Sequence, residues 1–144
     1  MKFRSLQSLA LSALLGASVT SSAALAGCSG PSKYFATGSG PAASADAKIE
    51  VAKREAGSKM VKIDIAHLPP PDQVAEDAKA FVVWFAAKDQ PTQKAGQLQY
   101  DKDERAGRAE ATCSFDAFTV LITAEGSPEV AAPSNHVVIR QEVQ

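Results

Sequence analysis

The stretch Ala80-Phe81-Val82-Val83-Trp84-Phe85-Ala86 is apolar at every position, and no other stretch limits the available folds as much. Seven residues make too short a run for an ordinary buried helix, and these are rich in the aromatic and β-branched side chains that fit extended backbone. The run reads as a central strand, buried on both faces or covered on one by a loop. Trp84, the single tryptophan, reads as a packing anchor ahead of a ligand-stacking surface.

Around this run the chain shows short segments of period two, the pattern of half-buried strands. Ile49 and Val51 alternate with Glu50 and Ala52, and Ala56-Gly57-Ser58 turns the chain. Val61, Ile63 and Ile65 then alternate with Lys62 and Asp64, as expected of a sheet with one wet face. Leu68-Pro69-Pro70-Pro71 removes three backbone donors and ends the pairing, giving a stiff crossover with room for a short helical turn between Asp72 and Ala78. Lys88-Asp89-Gln90-Pro91-Thr92 is turn chemistry. Ala95 to Tyr100 reads as a polar strand near an edge, and Asp101-Lys102-Asp103-Glu104-Arg105 as a solvated hairpin tip before Gly107.

Three further strands follow. Arg108 to Cys113 turns Ala109, Ala111 and Cys113 inward; Phe115 to Ala124 puts Phe118, Val120 and Ile122 on one face and Thr119, Leu121 and Thr123 on the other; His136 to Arg140 closes the series. Seven strands separated by turn signals, with no long helical repeat, predict an all-β fold over residues 47–144, an immunoglobulin-like antiparallel β-sandwich.

The front of the chain is of another kind. Met1-Lys2-Phe3-Arg4 is a short positive segment, Leu9 to Ala17 an apolar one, and Ser18-Val19-Thr20-Ser21-Ser22 interrupts it too early for a permanent membrane span of about 20 residues. Leu25-Ala26-Gly27-Cys28 then has the order of a bacterial lipoprotein cleavage and acylation motif, which predicts a signal peptide over 1–27 and lipid (palmitate) attachment at Cys28. Ala24-Leu25-Ala26 overlaps it as a site for the general signal peptidase, which would release a soluble protein starting at Gly27. Ser29 after the cysteine resembles lipoproteins sorted to the outer membrane, with the domain in the periplasm. From residue 28 to about residue 46 the Gly, Ser, Pro and Ala content predicts a flexible tether reaching about 25 Å on average, within which Tyr34 and Phe35 are ordinary linker aromatics or headgroup contacts.

Cleavage before Cys28 removes Lys2 and Arg4, leaving 13 basic against 16 acidic side chains, a net charge of −3. That balance argues against nucleic acid as a partner, because phosphate neutralisation needs a basic stripe. It also provides no polybasic attraction to anionic lipid, so membrane contact is expected through the lipid on Cys28. The two cysteines, Cys28 and Cys113, could form one disulfide in an oxidising compartment; acylation of Cys28 excludes it and leaves Cys113 as a small buried hydrophobe.

Leu68-Pro69-Pro70, Phe81-Val82-Val83-Trp84, Ala95-Gly96-Gln97-Leu98, Phe118 to Glu125, Pro133-Ser134 and Val137-Val138 together resemble the extracytoplasmic β-sandwich of anti-sigma-K-type factors, over roughly Val61 to Ile139. The resemblance implies a sandwich on the far side of a membrane. It also raises an accessory or regulatory role in an envelope-stress system.

Catalytic chemistry has few candidates. His67 and His136 stand outside any metal-ligand spacing and read as rim histidines. There is no nucleophile elbow, phosphate loop or dinucleotide fingerprint, and the Asp101 tip lacks the oxygen ligands and glycine of a calcium loop. The expectation is a non-catalytic, lipid-anchored envelope protein with a binding or structural sandwich, without cofactor, metal or catalytic residues, whose protein or envelope-polymer partner is unidentified. An enzyme with a site assembled across loops is the alternative.

Overall fold

A computed structural model describes residues 30–144. The predicted signal segment and Leu25, Ala26, Gly27 and Cys28 lie outside the described residues. Among the described residues nine strands form two antiparallel sheets. The first has the order β1 (Ser32–Thr37), β2 (Asp46–Lys53), β3 (Lys59–Ala66), β7 (Ala106–Cys113), β6 (Gln99–Asp101); the second has the order β5 (Gln93–Gln97), β4 (Ala80–Ala86), β8 (Phe118–Glu125), β9 (Val137–Val143). Apart from β1, this is the A-B-E-D against C′-C-F-G arrangement of immunoglobulin-type sandwiches. A single helical turn, α1 (Pro71–Val74), interrupts the β3–β4 crossover.

The alternations set the faces. Ile49, Val51, Val61, Ile63 and Ile65 of the first sheet meet Phe81, Val83, Phe85, Val120 and Ile122 of the second in one continuous core. Phe85 and Phe118 pack edge to face at 5.3 Å. Lys48, Glu50, Lys62, Asp64, Arg108 and Glu110 lie on the opposite, wet face of the first sheet, joined in part by exposed ion pairs. The expected core strand is central, and its second face is buried too. Val82, Trp84 and Leu121 form a separate cluster on the outer face of the second sheet, covered by Val130 and Val137.

Two departures from the expectation account for the difference between seven strands and nine. The first is the tether. Ser32–Thr37 is a strand in register with β2, Tyr34 opposite Ile49 and Phe35 opposite Lys48, and Gly40–Ala42 forms a 3-10 turn. The Gly-Ser-Pro composition serves a tight turn here rather than flexibility. A Cβ on Gly38 would lie 1.9 Å from the Ala42 carbonyl oxygen, Gly40 has φ +55°, and Pro41 supplies the fixed φ of the turn. The turn is pinned from outside: the Ser39 N–H donates to the Val138 carbonyl at 3.0 Å and its hydroxyl to the Val137 carbonyl at 2.8 Å. Ala42 and Ala45 are fully buried.

The second departure is Ala95 to Tyr100, which is two strands in different sheets. Opposite β4 the register slips between Val83 and Trp84, leaving Ala95 as an extra residue beside Gly96, whose φ of +145° suits glycine. The bend carries the chain out of the second sheet. Leu98, buried, makes the last rung by donating to the Phe81 carbonyl at 2.9 Å, and Gln99 then pairs with Arg108 of β7.

Candidate functional site

The registers fix where the ends of the strands lie. β1, β3, β5, β6 and β8 run one way, and β2, β4, β7 and β9 the other. The chain enters at the foot of β1. That end also carries the β2–β3, β4–β5 and β7–β8 turns. The opposite end carries the Gly38–Ala45 turn, the proline crossover with α1, the Asp101–Arg105 tip and the β8–β9 loop. Laterally, β1 lies beside β9 at one edge of the sandwich, and β5 and β6 form the other.

A groove of ≈ 800 Å³ opens where the β5–β6 edge meets the far end. Phe81 and Leu98 lie in its floor, and Tyr100 stands against Phe81 edge to face at 5.4 Å. The Tyr100 hydroxyl donates to the Leu68 carbonyl at 2.9 Å, and burial raises its pKa above the ordinary phenol value. Leu98 fits only because residue 107 is glycine, since a Cβ there would fall 2.4 Å from a Leu98 methyl. One wall comes from the crossover, with the carboxylates of Asp72, Glu76 and Asp77; Lys79 and Lys102 supply positive charge, and Gln97 and Gln99 neutral donors and acceptors. An apolar floor with mixed polar walls at two sheet edges suits an extended polar partner.

A smaller recess of ≈ 310 Å³ lies beside it and brings His136 near Glu125 and Asp77. Glu125 is buried, and its carboxylate is already engaged. Oε1 accepts the Thr123 hydroxyl at 2.6 Å and the Ser134 N–H at 2.8 Å. Thr123 in turn accepts the Trp84 indole N–H at 2.9 Å. The chain Trp84, Thr123, Glu125, Ser134 ties the β8–β9 loop down over the outer face of the second sheet. Lys94 adds a clasp, with Nζ 5.8 Å from the Trp84 ring centre and donating to the Pro128 carbonyl at 2.9 Å.

The remaining candidates are dispersed. His67 is exposed, in the left-handed region at φ +56°, and its Nδ1 lies 3.3 Å from an exposed Asp46 carboxylate. Asp101 uses its own Oδ1 to accept the N–H groups of Asp103 (2.9 Å) and Glu104 (3.0 Å), which makes the tip a side-chain-stabilised turn. Among the described residues no three His, Cys, Asp or Glu side chains converge as metal ligands. Cys113 is fully buried. Burial raises its thiol pKa, with the Phe115 backbone and the Lys59 ammonium acting in the opposite sense. Sequence reasoning named Leu98 and Glu125 only within the family resemblance, with no part in a site, and missed the groove. The readable signal of Glu125 was an acidic residue ending an otherwise apolar strand. Compared with protein-family models, curated proteins and solved structures, the chain matches none.

Proposed function

We propose that this chain is a lipid-anchored, non-catalytic cell-envelope protein, held to the membrane through an acylated Cys28 and presenting the β5–β6 groove to a protein or envelope-polymer partner. The observation that supports this reading is the placement of the groove. It opens at the corner diagonally opposite the foot of β1, four strand spacings across the sheet, about 19 Å, and a strand length of about 20 Å away. A chain tethered just before β1 holds that corner away from the bilayer. Ser29 favours the outer membrane with the domain in the periplasm.

The anchor is tested by metabolic labelling with an alkynyl fatty acid and mass measurement of the mature protein. The expected product starts at an acylated Cys28, and Cys28→Ser is released to the soluble fraction. A mature mass starting at an unmodified Gly27 would sink the proposal. The resemblance to anti-sigma-K-type sandwiches supports a second reading, an accessory of an envelope-stress system. Trp84, Glu125 and Ser134, three residues of that resemblance, meet in one hydrogen-bonded chain.

A further inference from the structure

Resting on the anchored reading above, we infer that β1 docks edgewise on the bilayer surface, with Phe35 seated among the lipid headgroups, so that the domain is held against the membrane rather than floated off it. The length of chain sets the limit. Ser32 begins β1 and stands four residues after Cys28, so an acyl-bearing cysteine at the interface keeps the foot of β1 within about 14 Å. Phe35 follows three residues up the strand, about 10 Å farther. No such constraint would exist had residues 28–46 been a free linker.

Phe35 is also the exposed large hydrophobic side chain among the described residues, at 72%. It projects from the wet face of the first sheet at its β1 margin, between Lys33, two residues before it on the same face, and Lys48, its cross-strand partner, so the docked edge leans toward that face. Both ammonium groups approach Glu50, at 3.9 Å and 2.8 Å, so two cations share one carboxylate and the Phe35 surroundings keep a single net positive charge toward an anionic lipid. Aromatic rings between long cationic stems are the composition that settles at the headgroup level. The inward neighbour, Tyr34, is fixed by donating to the Gln144 carbonyl at 2.9 Å, which holds the strand and the outward direction of Phe35. Docking through β1 turns the β5–β6 edge, and with it the groove, toward the aqueous side.

The test uses the acylated mature protein, starting at Cys28, in vesicles of phosphatidylethanolamine and phosphatidylglycerol, with and without brominated acyl chains. Wild type carries only the buried Trp84 and sets the baseline. In Phe35→Trp, brominated lipid is expected to cause on the order of a twofold loss of the added emission, since an interfacial apolar side chain is buried about 5–10 Å into the headgroup–acyl boundary, while aqueous iodide quenches it little. Thr112→Trp, on the outer face of β7 three strands away, is expected to respond to iodide and not to bromine. Vesicle-bound Phe35→Trp that iodide reaches freely overturns the docking and leaves the anchor intact. Equal bromine quenching at both positions overturns edgewise docking in favour of a sheet lying flat. Shielding of position 35 that needs no lipid and grows with protein concentration assigns the edge to a second copy instead. Protein that fails to float with the vesicles refutes the anchor, and the docking with it.

Discussion

Thr123→Val and Trp84→Phe, alone and together, measure what holds the β8–β9 loop onto the sandwich. Thr123→Val conserves volume but deletes the hydroxyl that both accepts from the indole and donates to Glu125. It leaves a fully buried N–H without an acceptor and takes one of two donors from a carboxylate that is 5% exposed. At about 1–3 kcal/mol for each orphaned group, the loss should be roughly 2–4 kcal/mol. Trp84→Phe leaves an under-used oxygen and the void of the missing ring, at a cost of about 1–3 kcal/mol. In the double variant the orphaned N–H no longer exists, so the two losses should fall short of additivity by about 1–2 kcal/mol. The assay is urea unfolding of the non-acylated Cys28→Ser chain followed by circular dichroism. A 3 kcal/mol loss there moves the midpoint by roughly 1–3 M. Additive losses, or a Thr123→Val cost below about 0.5 kcal/mol, would refute the claim that the three side chains act as one buried unit.

Gly38→Ala is expected to destabilise by about 1–3 kcal/mol, because its Cβ would collide with the Ala42 carbonyl in a turn pinned to β9; a midpoint equal to wild type returns residues 38–45 to a linker. Phe85→Ala should cost about 3–5 kcal/mol through the lost core ring and its contact with Phe118, again read from urea midpoints. Gly107→Val should displace Leu98 from the groove floor, costing about 1–3 kcal/mol, with the change seen in the methyl shifts of Leu98. Cys113 and Tyr100 both have folded pKa values raised by burial. Each holds its proton more tightly when folded, so its contribution is complete below the unfolded pKa, about 8.5 for a thiol and 10 for a phenol, and is lost as pH rises above it. Stability should therefore decline from about pH 8.5 upward, and Cys113→Ala should flatten the first part of that decline; an identical slope in both proteins removes the thiol from the account.

What the sequence made legible follows from how each signal arises. Alternation is a property of single strands, so β2, β3, β7 and β8 could be placed on their faces from Ile49, Val61, Ile63, Ala109 and Phe118 alone. The doubly apolar run found its place as β4 for the same reason. β1 was obscured because the residues after it, Gly38 to Pro41, have the composition of a linker, although Tyr34 and Ala36 do alternate with Lys33, Phe35 and Thr37. Composition reports how free a segment would be in isolation. It does not report that Ser39 has two carbonyls of β9 to bind.

The groove escaped for a deeper reason. Ala95 to Tyr100 reads as one strand because its residues are extended throughout, and nothing local shows that Gln97 and Gln99 pair in different sheets. The change of sheet needs an extra residue at Ala95, left-handed freedom at Gly96 and a missing side chain at Gly107 to receive Leu98. Those three conditions sit on two strands and meet only after folding. Their joint effect is to split one edge into two short ones with a recess between them. The short strands limit how much unpaired backbone either sheet edge offers for aggregation, while Phe81 and Leu98 provide an apolar floor between them. Deleting the extra residue at Ala95 should therefore straighten β5 into a longer edge and close the groove together, so that the open groove, followed by the Leu98 methyl shifts, and the resistance to self-association, followed by sedimentation velocity, are lost in the same variant. A variant that loses one property without the other would separate the bulge from the site it frames.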